Sequence, residues 1–92
     1  IAAWQRATFP FATPLSVATH LAEEAGELKD NPTDPEEIAD VFMLVVGAAQ
    51  ACGIDLIAAT RAKLEQNKRR VWGTPDADGV VRHVSDGGGL AA

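Results

Sequence analysis

The stretch from Pro35 to Cys52 constrains the fold most, because its side chains are apolar almost all the way round a helix. Its main stripe, at helical spacing, comprises Ile38, Val41, Phe42, Val45, Ala49 and Cys52, and Leu44, Val46 and Ala48 widen it. A helix as apolar as this needs neighbours on most of its sides. The stretch is therefore predicted to be the central helix of the fold.

Proline and capping residues place further helices around this central one. Thr13-Pro14 and Asp34-Pro35 each combine a capping side chain with a first-turn proline, which predicts a helix start at both places. The predicted helices are residues 2–7, 14 to about 30, 35–52 with Gly53 as its C-cap, and a last one from the Asp55 cap to Trp72. The predicted fold class is all-α: a small bundle of three main helices plus a short N-terminal helix.

The remaining C-terminal residues differ in composition. Asp78-Gly79 predicts a turn, residues 80–84 allow a short strand, and Gly87-Gly88-Gly89 predicts flexibility. We expect one domain over residues 1–92, with a short irregular tail over about 76–92.

Composition points to self-association. The chain has 92 residues and is 47% hydrophobic, but seventeen of these residues are alanines, which bury little area each. We therefore expect the bundle to be completed by oligomerisation, as a homodimer or a dimer of dimers.

Charge and cysteine content limit the partners and the compartment. A net charge of −5 argues against a nucleic-acid polymer or an anionic membrane as partner. The single Cys52 cannot form an internal disulfide, and no signal-peptide pattern opens the chain, so a cytoplasmic location is expected. The chain begins with Ile1 rather than Met, so we expect a few residues to precede it.

Two acidic clusters lie on consecutive predicted helices. Glu24 and Glu27 are three residues apart, as are Glu37 and Asp40, and this spacing places each pair on one helix face. If the helices are antiparallel, four carboxylates can converge, and their repulsion requires a cation. Oxygen ligands suit hard divalent ions, so the pattern predicts a metal site that handles phosphates.

A plainer interpretation is that the clusters are solvated helix faces, with Glu37 as the third-position capping partner of Asp34. Two observations oppose it. Asp40 lies between Ala39 and Val41 in the most apolar helix, where a solvated charge is unexpected. The two clusters are also separated only by a short turn.

Polar residues on the last helix could meet a phosphate. Lys63, Asn67 and Arg70 share one face at i, i+4 and i+7, although a solvated basic face near a helix C-terminus would look the same. His20, one turn before Glu24, could contact a nucleobase or a carboxylate outside the metal's own ligands, or be an ordinary surface histidine. Trp4 and Trp72 are interpreted as core or interface aromatics.

Together these residues resemble the MazG-like all-α NTP pyrophosphohydrolases. The resemblance rests on the pattern Glu23-Glu24-x-x-Glu27, Glu37-x-x-Asp40 and Lys63-x-x-x-Asn67-x-x-Arg70. Further features resemble the dATP/dGTP diphosphohydrolase branch: His20-Leu21, Arg69-Arg70-Val71-Trp72-Gly73-x-Pro75 and Asp78-Gly79-Val80-Val81-x-His83.

This resemblance implies metal-dependent hydrolysis of purine deoxynucleoside triphosphates to the monophosphate and pyrophosphate, in a bacterial cell or phage-infected host. Metal-activated water would attack the α-phosphorus in line. The implied roles are Mg²⁺ or Mn²⁺ ligation by Glu24, Glu27, Glu37 and Asp40, catalysis by Glu23 and Glu24, and substrate binding by His20, Lys63, Asn67 and Arg70. Glu23 would orient its neighbours or accept a proton, and both roles stay open.

Two alternatives remain. One is a non-catalytic helical dimerisation module with a solvated acidic face. The other is a di-iron carboxylate bundle, which normally needs Glu-x-x-His pairs that this chain lacks.

Overall fold

The computed structural model describes residues 1–86, which form four helices and one two-stranded sheet. The elements are α1 (Ala2–Thr8), α2 (Pro14–Asp30), α3 (Pro35–Ala51), α4 (Leu56–Arg69), β1 (Val71–Trp72) and β2 (His83–Ser85). The mostly helical composition confirms the predicted all-α class. Contacts divide the chain into two compact units, the first spanning Ile1–Leu56 and the second beginning at Ile57. The Gly87-Gly88-Gly89 segment lies outside the described residues.

Side-chain caps fix the starts of α2 and α3 where the sequence predicts them. Thr13 Oγ1 accepts a hydrogen bond from the Ser16 amide at 3.0 Å, and Ser16 Oγ accepts one from the Thr13 amide at 2.9 Å. This reciprocal pair satisfies two amides at the helix start. Asp34 Oδ1 accepts from the Glu36 amide at 2.9 Å. The Asp34 amide itself donates to the Asn31 carbonyl at 3.1 Å rather than to Glu37, which leaves the Glu37 side chain available elsewhere.

The centre of the first unit is α3, which packs against both α2 and α1. This confirms its predicted central place, but none of its residues is buried. Val17 on α2 and Gln5 on α1 are the only buried residues within positions 1–86. On α3, Ile38 and Phe42 are 51% and 55% exposed. Small side chains let the helices approach without covering these larger ones, so the unit keeps an open apolar surface.

The C-terminal end of α3 turns through a glycine, as predicted, with one difference of position. The helix ends at Ala51 and Cys52 is its C-cap, so Gly53, at φ 65°, follows the cap. The Gly53 amide donates to the Gln50 carbonyl at 3.1 Å, and the Ile54 amide donates to the Ala49 carbonyl at 2.8 Å. This paired pattern closes the last turn and needs a left-handed residue at position 53.

The prediction that the last helix reaches Trp72 is wrong, because α4 ends at Arg69. Val71 and Trp72 instead form β1, which pairs antiparallel with β2. Branched and aromatic side chains favour this extended conformation. Trp72 Nε1 also donates to the Asn67 carbonyl at 2.9 Å, which satisfies a carbonyl in the last turn of α4.

The residues predicted to form an irregular tail therefore include one strand of this ribbon. The turn predicted at Asp78-Gly79 is present, with Gly79 at φ 83°. Asp76 organises it: Oδ1 accepts from the Asp78 and Val80 amides at 2.9 and 3.0 Å, and Oδ2 lies 2.7 Å from Arg82 Nη1. The strand foreseen over residues 80–84 is realised as His83–Ser85.

Among residues 1–86, no single helix is both long enough and apolar enough to cross a membrane. The predicted cytoplasmic location, and the predicted lack of membrane and nucleic-acid partners, stay predictions.

Candidate active site

Three carboxylates converge where α2 packs against α3. One carboxylate oxygen from each of Glu24, Glu27 and Glu37 lies within 4.8 Å of the other two. Glu24 and Glu27 share one face of α2, and helix packing brings Glu37 of α3 against that face. The structure thus joins residues of both predicted acidic clusters in one group.

Their closeness alters the protonation of Glu24. A hydrogen bond with Glu27 is the largest of the effects that raise the pKa of Glu24 above its ordinary value. Burial and the charges of Glu27 and Asp40 raise it further, whereas His20 lowers it. His20 Nε2 lies 3.3 Å from Glu24 Oε1, so the carboxylate it contacts is itself a predicted metal ligand, and its predicted substrate contact stays a prediction.

The pKa of Glu37 on α3 is raised as well. Burial is the main reason that the pKa of Glu37 is raised, followed by the charges of Glu27 and Glu24. Asp40 also raises it, although the Asp40 side chain is exposed and lies outside the group of three. Asp40 is thus close enough for its charge to raise the pKa of Glu24 and of Glu37.

The group has unused ligand atoms. Oε2 of Glu24 and Oε2 of Glu37 are both buried, and neither accepts a hydrogen bond from the described part of the chain. The Glu24 side chain is only 17% exposed. Buried carboxylate oxygens without donors are costly unless a cation pairs with them. Mg²⁺ and Mn²⁺ prefer ligand atoms that are all oxygen. These carboxylates provide only oxygen ligands, so the residues fit a divalent metal.

The other predicted catalytic residue, Glu23, lies on an exposed part of α2. It is adjacent in sequence to Glu24 but is not one of the three converging carboxylates. Its predicted role is not tested by this geometry.

The predicted phosphate-binding residues belong to the second unit. Lys63 Nζ lies 3.2 Å from Gln66 Oε1 on the exposed surface of α4. Arg70 follows the end of α4, and its Nη1 donates to Asn67 Oδ1 at 3.3 Å. The Arg70 Nε atom lies 3.5 Å from Asp86 Oδ1, and the Arg70 side chain is 13% exposed. Arg70 is therefore held in place, while the binding of phosphate by this face stays a prediction.

An open cavity of about 920 Å³ adjoins the carboxylates within the first unit. Glu24, Asp40 and His20 line part of it. Aromatic residues line it as well, and Trp4 and Phe9 meet edge to face with ring centroids 5.5 Å apart. Charged groups beside apolar and aromatic walls suit a ligand with one anionic and one aromatic part.

Sequence reasoning missed several residues of this cavity. Trp4, interpreted as a core or interface aromatic, lines the cavity and is 54% exposed. Gln5 and Gln50 line it too, but neither was singled out. The available signal was weak: Gln50 is a lone polar residue near the end of an apolar helix, and Gln5 follows a tryptophan in a short one.

Comparison with known proteins shows the family. A family model for dATP/dGTP pyrophosphohydrolase matches residues 1–88. A dATP/dGTP diphosphohydrolase of Cyanophage S-2L is 41% identical over 86 residues, which are 91% of this chain and 81% of the relative. A dATP/dGTP diphosphohydrolase of Salmonella phage PMBT28 is 39% identical over 89 residues, 96% of this chain but 30% of the longer relative.

A solved structure supports the fold. The Cyanophage S-2L MazG-like pyrophosphohydrolase, bound to dGDP and three catalytic Mn²⁺ ions per active site, superposes with a TM-score of 0.76 at 38% identity. The match covers 90% of this chain and 83% of that one. These findings confirm the resemblance drawn from the acidic and C-terminal motifs: the chain belongs to the dATP/dGTP pyrophosphohydrolase family.

Proposed function

We propose that this chain hydrolyses dATP and dGTP to the deoxynucleoside monophosphate and pyrophosphate, with Mg²⁺ or Mn²⁺ as cofactor. The observation that carries the proposal is the convergence of Glu24, Glu27 and Glu37 within 4.8 Å beside an open cavity. Family membership and the Mn²⁺-bound and dGDP-bound relative support the same reaction.

Glu24, Glu27, Glu37 and Asp40 are the residues that would hold the metal. Bound there, a divalent ion supplies charge neutralisation for the triphosphate and a water nucleophile at neutral pH. The buried Oε2 atoms of Glu24 and Glu37 are free of protein donors within residues 1–86, so both are available as ligand atoms.

The protein side chains around this group have separate tasks. His20 holds the Glu24 carboxylate from one turn away and so limits its rotation. Glu23 is exposed, and its carboxylate would either orient its neighbours or accept a proton from the attacking water and pass it to bulk solvent. The attack is in line at the α-phosphorus, which makes pyrophosphate the leaving group.

Lys63, Asn67 and Arg70 are the proposed phosphate-binding residues. Asn67 accepts a hydrogen bond from the Arg70 guanidinium, and Asp86 lies 3.5 Å from its buried Nε atom, so the guanidinium is partly positioned before it meets a phosphate. The exposed Lys63 ammonium provides a mobile point charge. Both would stabilise the negative charge on the departing pyrophosphate.

The cavity of the first unit is the proposed place for the base and sugar. Its volume of about 920 Å³ lies in the range of small-molecule sites. Carboxylates line one part and aromatic side chains another, which matches a nucleotide that presents phosphates to the metal and a flat base to Trp4 and Phe9.

Product analysis tests the proposal. The purified chain is incubated with each common dNTP and NTP, with Mg²⁺ and separately with Mn²⁺, and the nucleotides are resolved by chromatography. Monophosphate and pyrophosphate from dATP and dGTP are expected. Diphosphate and phosphate would contradict attack at the α-phosphorus, and no turnover with any nucleotide would favour the non-catalytic interaction module.

We also propose a homodimer or a dimer of dimers. The support is the apolar surface that the first unit leaves open, including Ile38, Phe42 and Leu15 at 51%, 55% and 76% exposure. Light scattering coupled to size exclusion should give a mass at least twice the chain's 9.7 kDa. A monomer at micromolar concentration would contradict the proposal.

A further inference from the structure

Gln5 is the only buried polar residue within positions 1–86, with 9% of its surface exposed. Its Nε2 donates a hydrogen bond to the Met43 carbonyl of α3 at 2.6 Å. A carbonyl oxygen can only accept, so this contact fixes which end of the amide is nitrogen. The oxygen, Oε1, is therefore the end left for another partner.

That oxygen has no donor in the described part of the protein. Gln5 Oε1 is buried and accepts no hydrogen bond from residues 1–86, although Gln5 lines the cavity. Gln50 Oε1 is also buried and accepts no hydrogen bond from residues 1–86, and Gln50 lines the same cavity. Buried acceptors normally have a donor, because leaving one without a partner is unfavourable. Because both glutamines line the cavity, a ligand bound there that brings N–H groups would supply the missing donors.

We propose that Gln5 Oε1 accepts a hydrogen bond from an N–H group on the edge of the nucleobase, with Gln50 Oε1 as a second acceptor. Adenine offers its 6-amino group, and guanine offers N1–H and its 2-amino group. This inference rests on the proposed hydrolysis and deepens it, because it assigns base selection to acceptors on α1 and α3.

Gly47 leaves the space in which the Gln5 amide lies. A Cβ atom at position 47 would stand 3.3 Å from Gln5 Nε2 and 3.7 Å from its Oε1. The contact with Nε2 is tight, so a side chain at position 47 would require the Gln5 amide to shift by a few tenths of an ångström. Glycine within a helix is unfavourable relative to alanine, so its presence beside Gln5 is consistent with a need to keep this position clear.

A purely structural role for Gln5 makes a different prediction. The bond to Met43 also ties α1 to α3, so its loss would weaken the fold and lower turnover of every nucleotide by the same factor. Base reading instead changes the ratio between two substrates that differ in a single N–H group. The ratio therefore separates the two roles.

The first test uses the unmodified protein. The value of kcat/KM is measured for dATP and for purine 2′-deoxyriboside triphosphate, which is dATP without its 6-amino group. We expect dATP to be preferred about tenfold or more, since an unpaired buried acceptor disfavours the analogue. Equal values would overturn the inference while leaving the hydrolysis intact. No turnover of either nucleotide would overturn both proposals.

The second test compares variants by the same ratio. Gln5→Met keeps the length of the side chain but removes this acceptor, so the preference should fall towards unity. Gly47→Ala keeps the acceptor but displaces it, so the preference should fall as well. Gln66→Met on α4 is the matched control: Gln66 is half-buried and pairs with Lys63, so the change affects turnover of both nucleotides alike and should keep the preference between them. A retained preference in both Gln5→Met and Gly47→Ala would overturn the inference.

Discussion

The protein contains two acidic sites that differ in what surrounds each carboxylate. On α2 and α3, the pKa values of Glu24 and Glu37 are raised, because burial and neighbouring carboxylates disfavour their charged forms. In the C-terminal ribbon, the pKa of Asp76 is lowered, first by Arg82 and then by backbone amides. The first site gathers several carboxylates and leaves buried oxygens without donors, whereas the second surrounds a single carboxylate with donors.

This difference is the one expected between a proposed metal site and a structural carboxylate. Asp76 uses both of its oxygens within the chain, on the amides of Asp78 and Val80 and on Arg82. Glu24 and Glu37 each keep a buried oxygen with no donor among residues 1–86. Satisfied carboxylates stabilise a local fold, and unsatisfied ones that face each other attract a cation.

The largest expected effect is on catalysis. Glu24→Gln and Asp40→Asn should each lower kcat/KM for dATP by about 100-fold or more, because a neutral amide is a poor ligand for a hard cation. Steady-state kinetics at saturating Mg²⁺ measure this loss, with circular dichroism to check helical content. Glu36→Gln, one residue before Glu37 but on the exposed surface, is the control and should keep near-normal activity. Full activity in both site variants would remove the metal assignment.

The next effect is on thermal stability. Metal at 100 times its Kd stabilises a folded site by about 2.7 kcal/mol, which corresponds to a rise in Tm of about 10 °C or more for a domain of this size. Calorimetry with Mg²⁺ or Mn²⁺ against EDTA measures this rise. Glu24→Gln should abolish most of it, and Asp76→Asn should retain it. An equal rise in both variants would place the metal elsewhere.

The contributions of the two sites to stability should change with pH in opposite directions. The folded metal-free protein binds protons at Glu24 and Glu37 more tightly than the unfolded chain does. Their contribution is therefore complete below the ordinary value of 4.5 and is lost as pH rises through the raised pKa values. The contribution of Asp76 is present above 3.8 and is lost as pH falls through its lowered pKa.

Urea unfolding in EDTA across this pH range measures both the loss of stability at high pH and the loss at low pH. Glu24→Gln should flatten the loss on the high-pH side, and Asp76→Asn should flatten the loss on the low-pH side. Saturating Mg²⁺ should oppose the high-pH loss, since metal binds the charged carboxylates. If Glu24→Gln instead flattened the low-pH loss and Asp76→Asn the high-pH loss, the contrast between the sites would be wrong.

The smallest expected effect concerns the ribbon itself. Asp76→Asn keeps the shape of the side chain but weakens its hold on Arg82, so Tm should fall by only a few degrees. Hydrogen exchange should speed up at the amides of Asp78 and Val80, which donate to Asp76. The exchange of α2 and α3 amides should not change. Faster exchange there would show that the acidic group depends on the ribbon.

Local chemistry explains which parts of the fold could be predicted from the sequence. The starts of α2 and α3 follow from Thr13-Pro14 and Asp34-Pro35, since a cap acts on amides two or three residues away. The end of the last helix was placed three residues too late. Helical pattern cannot reveal that Val71 and Trp72 pair with residues more than ten positions later, because strand pairing is non-local.

The acidic group was predictable because it depends on local helix spacing and one short turn. Glu24 and Glu27 share a helix face whatever surrounds them, and a short turn brings Glu37 back to that face. The buried polar oxygens of Gln5 and Gln50 were not predictable, because their burial depends on how α1 packs on α3. A glutamine in a short helix gives no sign of this by itself.

The attachment of α1 has a consequence for local unfolding. A helix of seven residues is too short to be stable alone, and its N-cap, Ile1, makes no side-chain hydrogen bond to it. Its order therefore depends on packing and on the Gln5 bond to α3. In native-state hydrogen exchange, α1 should open at a much lower free energy than α2 and α3 do. Residues of α1 that line the cavity can then part from its wall while both helices that carry the carboxylates stay folded.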